Sequence, residues 1–150
     1  MHVREVVPIL QVAIGPVILI SGIGLLLLSM TNRFSRVLDR SRQLSRDHRQ
    51  AEEPLRPGIT AQIDILIVRA HLLRLAITLA GVSVLLASLL IIALFLTALF
   101  SLEIAIALSA LFMACMASLI ASILVFLRDI NLSLAALKLE LKAQRDREAA

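Results

Sequence analysis

The chain has 150 residues, of which 59% are hydrophobic, and carries a formal net charge of +4 at pH 7. This apolar content and a mean hydropathy of +0.94 exceed what a soluble domain can bury. The composition therefore excludes a soluble globular protein, and the length leaves no room for a separate enzymatic domain beside several membrane spans. We expect one membrane domain over residues 1–150. The single Cys115 lies in an apolar stretch, which excludes an intrachain disulfide framework and a cysteine-rich metal site.

Three apolar segments predict transmembrane helices, because each reaches the roughly 20 residues that a bilayer core about 30 Å thick requires. In chain order they cover about residues 7–30, 76–100 and 104–127. The short connection between the last two predicts an antiparallel hairpin with Glu103 at the far membrane surface. A cleaved signal peptide is the less favoured alternative for the first segment, which is longer than a typical signal peptide and lacks a convincing cleavage site.

The first span is predicted to continue beyond the membrane as one helix, because no Gly or Pro follows Gly24 before residue 52. Residues 31–52 place Phe34, Val37 and Leu44 at helical spacing, with the arginines largely on the other flanks. This segment is the first arm of a predicted cytoplasmic hairpin.

The second arm follows a break at Pro54, Pro57 and Gly58, after which Thr60 is predicted to cap a new helix that enters the second span. The helical hairpin therefore occupies residues 31–75. Leucines recur at helical spacing in residues 128–148 and predict a C-terminal cytoplasmic helix, which can pack against the hairpin. The predicted fold class is an all-α integral membrane protein with three transmembrane helices.

The positions of the cations predict the orientation in the membrane, because cytoplasmic loops carry an excess of Lys and Arg. Only Arg4 precedes the first span, whereas the loop between the first two spans and the C-terminal tail carry the other cations. We therefore expect the N-terminus outside and the C-terminus in the cytoplasm. The loop cations are Arg33, Arg36, Arg40, Arg42, Arg46, Arg49, Arg56, Arg69 and Arg74.

Small residues on the first and third spans are predicted to mediate helix packing, because they let helix backbones approach closely in lipid. On the third span they recur at steps of three and four residues. Packing against the second span of the same chain is favoured over packing against a neighbouring subunit, which stays open. The residues are Gly15, Gly22, Gly24, Ala107, Ala110, Ala114, Ala117 and Ala121.

Polar residues at the cytoplasmic edge of the three spans are predicted to form one cluster at a similar depth. We expect Asp129 to pair with Arg33 or Arg74. The candidate roles are a gate latch or a site for anionic lipid headgroups, and simple topological anchoring is the favoured alternative. The cluster comprises Asn32, Arg33, Arg36, Asp39, Arg40, Arg74, Arg128 and Asp129.

The sequence offers little for catalysis. The histidines are scattered, so neither a metal site nor a catalytic site is expected, and no cofactor is predicted. No ionisable residue lies deep in a span, which argues against an ion-coupled transporter. Hydroxyl side chains in the spans are expected to bond to their own helix. Nucleic-acid binding is not expected either, because the membrane topology explains the basic charge.

A resemblance to a known family rests on four stretches of the sequence: Ala13–Val17, Ser21–Gly24, Thr31–Arg33 and Arg36–Arg40. This pattern, in which SGIG is followed by TNRFSRVLDR, resembles the signature of a family of small bacterial integral membrane proteins classed as a domain of unknown function. The resemblance implies a bacterial inner membrane and three spans. It implies no activity.

Two functional hypotheses follow. The first is a homo-oligomeric membrane protein, a channel-like pore or sensor with a cytoplasmic helical bundle, in which Glu103 forms an acidic ring at the outer mouth. The alternative is a scaffold or accessory subunit that recruits an unidentified protein partner through its arginine-rich hairpin. Both place the chain in the lipid bilayer, with anionic headgroups as expected partners. An enzyme is not expected.

Overall fold

A computed structural model of the chain describes residues 3–50, 53, 56–100 and 105–148, with side chains for 14–50, 53, 58–100 and 105–134. Three long helices make up almost all of this part: α1 (Val3–Gln50), α2 (Arg56–Phe100) and α3 (Ala105–Glu148). Each is long and apolar enough to cross a membrane. The all-α fold with three spans is therefore confirmed. Glu103 and the connection around it lie outside the described residues.

Each helix is much longer than a bilayer core is thick. With 48, 45 and 44 residues, the helices are about 66–72 Å long at 1.5 Å per residue, against about 30 Å of hydrocarbon. The uninterrupted α1 confirms the prediction from the missing helix breakers after Gly24. Each helix therefore has an apolar part and a polar part that projects from it.

The C-terminal helix predicted over residues 128–148 is the end of α3 and is continuous with the third span. No Gly or Pro occurs between Ala105 and Glu148, so nothing in the chain interrupts the helix. The third span therefore has a rigid extension, as the first two have.

The predicted start of the second helix is wrong by one turn. Helix α2 begins at Arg56, so Thr60 lies inside the helix and does not cap it. Proline is tolerated in the first turn because its missing N–H has no intrahelical partner there, and Pro57 occupies such a position. Pro57 therefore helps to start the helix.

The core lies along α2, which packs against both other helices, whereas α1 and α3 meet only weakly. Helices α2 and α3 are antiparallel, because Ser83 contacts Cys115 while Arg69 contacts Asp129. Buried residues recur at steps of three and four on α2 and at every seventh residue on α1 and α3. Such spacing is typical of helices that pack in a left-handed coil. The buried residues are Ile23, Met30, Val37 and Leu44 on α1, Leu73, Ala76, Ala80, Ser83, Ala87 and Leu90 on α2, and Cys115, Ser122 and Asp129 on α3.

The small residues that allow close packing within the chain are those of α2, not those predicted on α1 and α3. On α3, the side chains of Ala107, Ala110, Ala114 and Ala117 are exposed, and Ala121 is half-buried. Cys115, Ser118 and Ser122 face α2 instead, because their side chains hydrogen-bond to it. The prediction that the alanine face packs on the second span is therefore wrong.

The predicted glycine contacts of α1 are absent from the described part of the chain. A Cβ atom built on Gly15, Gly22 or Gly24 would meet no other heavy atom within 4 Å. The buried face of α1 runs through Ile23 and Met30, which turns Gly22 and Gly24 outward. Large apolar side chains are also turned outward, including Leu25 at 73% exposure and Ile106 at 88%. Such a surface suits contact with lipid.

Candidate functional site

A fully buried carboxylate joins the three helices at the edge of the apolar segments. Asp129 of α3 has no exposed surface. Its Oδ1 atom accepts a hydrogen bond of 3.2 Å from Nε of Arg69 on α2, and its Oδ2 atom lies 3.7 Å from a terminal guanidinium nitrogen of Arg33 on α1. A buried charge is tolerated only when it is paired. Asp129 thus makes an ion pair with each of the other two helices.

Arg33 is held less tightly than Arg69. Its side chain is 40% exposed, against 18% for Arg69, and its guanidinium group lies over the ring of Phe126 at 5.5 Å from the centroid. This cation–π contact orients the group. Oδ2 of Asp129 has no hydrogen-bond partner within the described residues. One half of the carboxylate is therefore firmly bonded, and the other is balanced only by a longer-range charge.

Of the two alternative partners predicted for Asp129, the structure shows Arg33. Arg33 does pair with it, but the second partner is Arg69, which the predicted cluster omits, and not Arg74. Arg69 stands four residues before the buried Leu73, on the same helix face, whereas the side chain of Arg74 is exposed. The seven-residue repeat of buried positions on α2, extended backwards from Ser83 and Ala76, is the sequence signal that identifies Arg69.

Polar side chains between α2 and α3 fix the register that brings Asp129 to Arg69. Ser122 donates a hydrogen bond of 2.7 Å to the carbonyl of Ala76, and Ser83 donates one of 3.0 Å to the carbonyl of Cys115. These two pairs and the pair of Asp129 and Arg69 succeed one another at seven-residue intervals on both helices. The membrane part of the interface therefore positions the ion pair at its edge.

Other hydroxyl groups behave as predicted and bond to their own helix. Thr78, Ser88 and Thr97 each donate to the carbonyl four residues earlier. The prediction fails for Ser83, Ser118 and Ser122, which bond across the interface. An isolated hydroxyl in a sequence does not reveal which of these partners it takes, because both are carbonyl groups within reach.

Beside the ion pair lies a cavity of about 270 Å³ that four arginines line, called here the arginine cavity. Three of the arginines belong to α1 and one to α2, and α3 supplies a hydroxyl group. Two apolar side chains complete its wall. The lining residues are Arg33, Arg36, Val37, Arg40, Leu66, Arg69 and Ser133.

The structure thus brings together only part of the predicted cluster at the membrane edge. Arg33, Arg36 and Arg40 line the arginine cavity, and Asp129 contacts two of its arginines. The other predicted members have exposed side chains and do not line the cavity; they are Asn32, Asp39, Arg74 and Arg128.

A second cavity, also about 270 Å³, lies between the apolar parts of the three helices. Pro16 and Leu19 of α1, Leu90 of α2 and Phe112 and Met116 of α3 contribute to its wall, next to Gly15, Ala87 and Cys115. Among the described residues no charged group lines this space, so it fits an apolar side chain or an acyl chain better than an ion. Within the described residues, no group of three His, Cys, Asp or Glu side chains is placed to hold a metal ion.

Comparison with known proteins adds a family but no activity. Neither a curated protein nor a solved structure matches the chain. A family model described as "Protein of unknown function (DUF2721)" matches residues 13–139, which include α2, most of α1 and α3, and the three residues of the ion pairs. The chain belongs to this family of proteins of unknown function.

Proposed function

We propose that the chain is the subunit of a non-enzymatic, homo-oligomeric protein of the bacterial inner membrane. In this proposal the polar ends of the helices form a cytoplasmic bundle that senses a ligand or partner and transmits a change to the spans. The protein then acts as a sensor or gates a channel-like pore between subunits. The observation that carries the proposal is the buried Asp129, which pairs with Arg33 and Arg69 where the polar and apolar parts of the helices meet.

The continuity of the helices supports transmission. Because α1, α2 and α3 each run without a break through this level, a displacement of the polar ends reaches the spans as a rigid movement. Asp129 is the point at which such a movement meets resistance, since separating a buried carboxylate from its partners costs several kcal/mol. The 3.7 Å contact with Arg33 is the longer of the two ion pairs of Asp129. In this proposal it is the pair that breaks first when the helices move.

The uncovered alanine face of α3 supports assembly with a second copy. Ala107, Ala110, Ala114 and Ala117 are exposed on α3, whereas Ser118, on an adjacent face of the same helix, bonds to α2. Small residues permit close helix contacts in lipid. Any pore would lie between subunits, because the cavity among the apolar parts of the three helices is lined by uncharged, mostly apolar residues in the described part of the chain. The proposed outer ring of Glu103 belongs to this arrangement, with the N-terminus outside and the C-terminus in the cytoplasm.

Mass measurement and ion flux test the proposal together. Purified protein is sized in detergent by light scattering and then reconstituted in liposomes that contain an ion-sensitive dye. We expect a multiple of the 16.4 kDa chain mass and a flux that changes in Asp129→Asn but not in Asp39→Asn, whose side chain is exposed. A strictly monomeric protein without flux contradicts the pore.

A scaffold role is the second candidate, and one surface favours it. Arg42, Arg46 and Arg49 are exposed on α1 around a surface depression of about 400 Å³, together with Ser41 and Ser45. These cations suit an acidic partner protein. A photo-crosslinker at Ser45 in native membranes tests this role. Crosslinks to another protein support it, and crosslinks that join only copies of the chain contradict it.

A further inference from the structure

We propose that the arginine cavity is a binding site for a phosphate group, carried either by an anionic lipid or by a soluble phosphate. The inference rests on the cavity and its side chains and does not depend on the proposed oligomer or pore. It concerns the space beside Asp129, not the ion pairs themselves.

The charge around the cavity favours an anion. Four guanidinium groups line it, and Asp129 is the only carboxylate among the described residues that contacts any of them. Among the described residues, one carboxylate balances one of the four charges and leaves three unbalanced around the cavity. Like charges near one another repel. A bound dianion relieves that repulsion, whereas a cation increases it.

The hydrogen-bond donors of the cavity are available. Arg69 donates to Asp129 through Nε. Its two terminal nitrogens make no hydrogen bond within the described part of the chain. Arg36 makes no hydrogen bond or ion pair with a described residue. Arg40 donates one N–H of a terminal nitrogen to Oε1 of Gln43 at 3.2 Å. The planar guanidinium fork matches two oxygens of a phosphate group. Ser133 adds a hydroxyl that can donate to a third oxygen.

Asp129 acts here as a positioning residue. Its carboxylate fixes Arg69 through the 3.2 Å hydrogen bond and attracts Arg33, whose guanidinium group is also held over Phe126. Both side chains line the cavity. Two of the four donors are therefore oriented before a ligand arrives, which lowers the entropy cost of binding.

The size and depth of the cavity fit a phosphate group. Its volume of about 270 Å³ is enough for a phosphate group with bridging waters. Arg33 follows the buried Met30 by three residues, or about 4.5 Å along the helix axis. This is the end of the apolar segment, the level at which lipid phosphates lie, and two of the cavity's arginines, Arg36 and Arg40, are exposed. Both sources are consequently within reach.

The experiment follows thermal unfolding of the full chain in a zwitterionic detergent. Cys115 is the only cysteine and is fully buried, so a dye that fluoresces on reaction with thiols reports unfolding. One arm titrates inorganic phosphate against chloride of equal ionic strength. The other adds phosphatidylglycerol to the micelles, with phosphatidylcholine as its control. Arg36→Gln/Arg40→Gln removes two cavity charges without touching Asp129, and Arg74→Gln/Arg128→Gln removes two exposed charges outside the cavity.

We expect a saturable rise in Tm with at least one ligand. The apparent Kd should rise about tenfold or more in Arg36→Gln/Arg40→Gln, because each charge-assisted hydrogen bond contributes substantially to the binding free energy. In Arg74→Gln/Arg128→Gln it should change less than about twofold. A rise with phosphate identifies a soluble ligand, and a rise with phosphatidylglycerol alone identifies a headgroup. If the cavity pair does not fold without ligand, the single Arg36→Gln variant replaces it. The proposal is overturned if neither ligand raises the Tm, or if both double variants lose the same amount of affinity.

Discussion

Arg69 donates a hydrogen bond of 3.2 Å from Nε to Oδ1 of Asp129, which lies 60 residues further along the chain. The pair stands on α2 and α3 where the apolar parts of the helices end. Ser122 and the carbonyl of Ala76 meet seven residues closer to the connection on both helices. The ion pair is thus the last of the polar contacts that fix the register of α2 against α3, and it lies at the end of their apolar parts.

Removal of the Asp129 carboxylate should destabilise the fold, because it leaves two arginines near a buried, uncompensated site. We expect Asp129→Ala to lower the free energy of unfolding by about 2 kcal/mol, below the 3–5 kcal/mol of a fully buried pair, since Arg33 is 40% exposed. Denaturant unfolding in mixed micelles measures the loss. Asp39→Ala, with an exposed carboxylate on α1, is the control and should cost under about 0.5 kcal/mol.

The identity of the second partner can be tested by double-mutant cycles. Arg69→Ala and Asp129→Ala should be coupled by about 1 kcal/mol or more, because each substitution removes the same hydrogen bond. Arg74→Ala and Asp129→Ala should be additive, since Arg74 is exposed and makes no ion pair with Asp129. Stronger coupling of Arg74 than of Arg69 would show that the register of α2 is different.

The three long helices were predictable from the sequence, because apolar length and the absence of Gly and Pro from residues 25–50 and from α3 act locally. The packing faces were not. In lipid an apolar side chain gains little from facing another helix, so apolar periodicity does not separate the buried face from the lipid-facing one. The sequence therefore favours Arg74, which directly precedes the second span, as a partner of Asp129, although Arg69 is the residue that faces it. The distance of Arg74 to the span was clear from the sequence, but its position around the helix was not.

The hydroxyls of α3 should contribute to stability according to their partners. Ser122→Ala removes a hydrogen bond to the carbonyl of Ala76 on another helix, and we expect it to cost about 0.6–1 kcal/mol, as interhelical bonds in membranes do. Ser88 donates to Val84 of its own helix, whose carbonyl keeps its helical partner. Ser88→Ala should therefore be close to neutral in the same unfolding measurement, and an equal cost at both sites would contradict the interhelical role.

The exposed alanine face gives a test that separates folding from assembly. Ala110→Leu and Ala114→Leu add volume to side chains that are exposed within the chain, so the thermal unfolding of a single chain should not change. If a second copy packs on this face, the added side chains hold the two helices apart and the oligomer mass in detergent falls.

The matched control for that experiment is Ala80→Leu on α2. Ala80 is buried and lines neither cavity, so added volume there forces side chains and backbone to shift, at a cost of about 1–3 kcal/mol. We expect this variant to lower the unfolding temperature, whereas the α3 variants lower only the oligomer mass. An unchanged mass in Ala110→Leu and Ala114→Leu would show that copies of the chain do not associate through this face, and the proposed assembly would then need another surface.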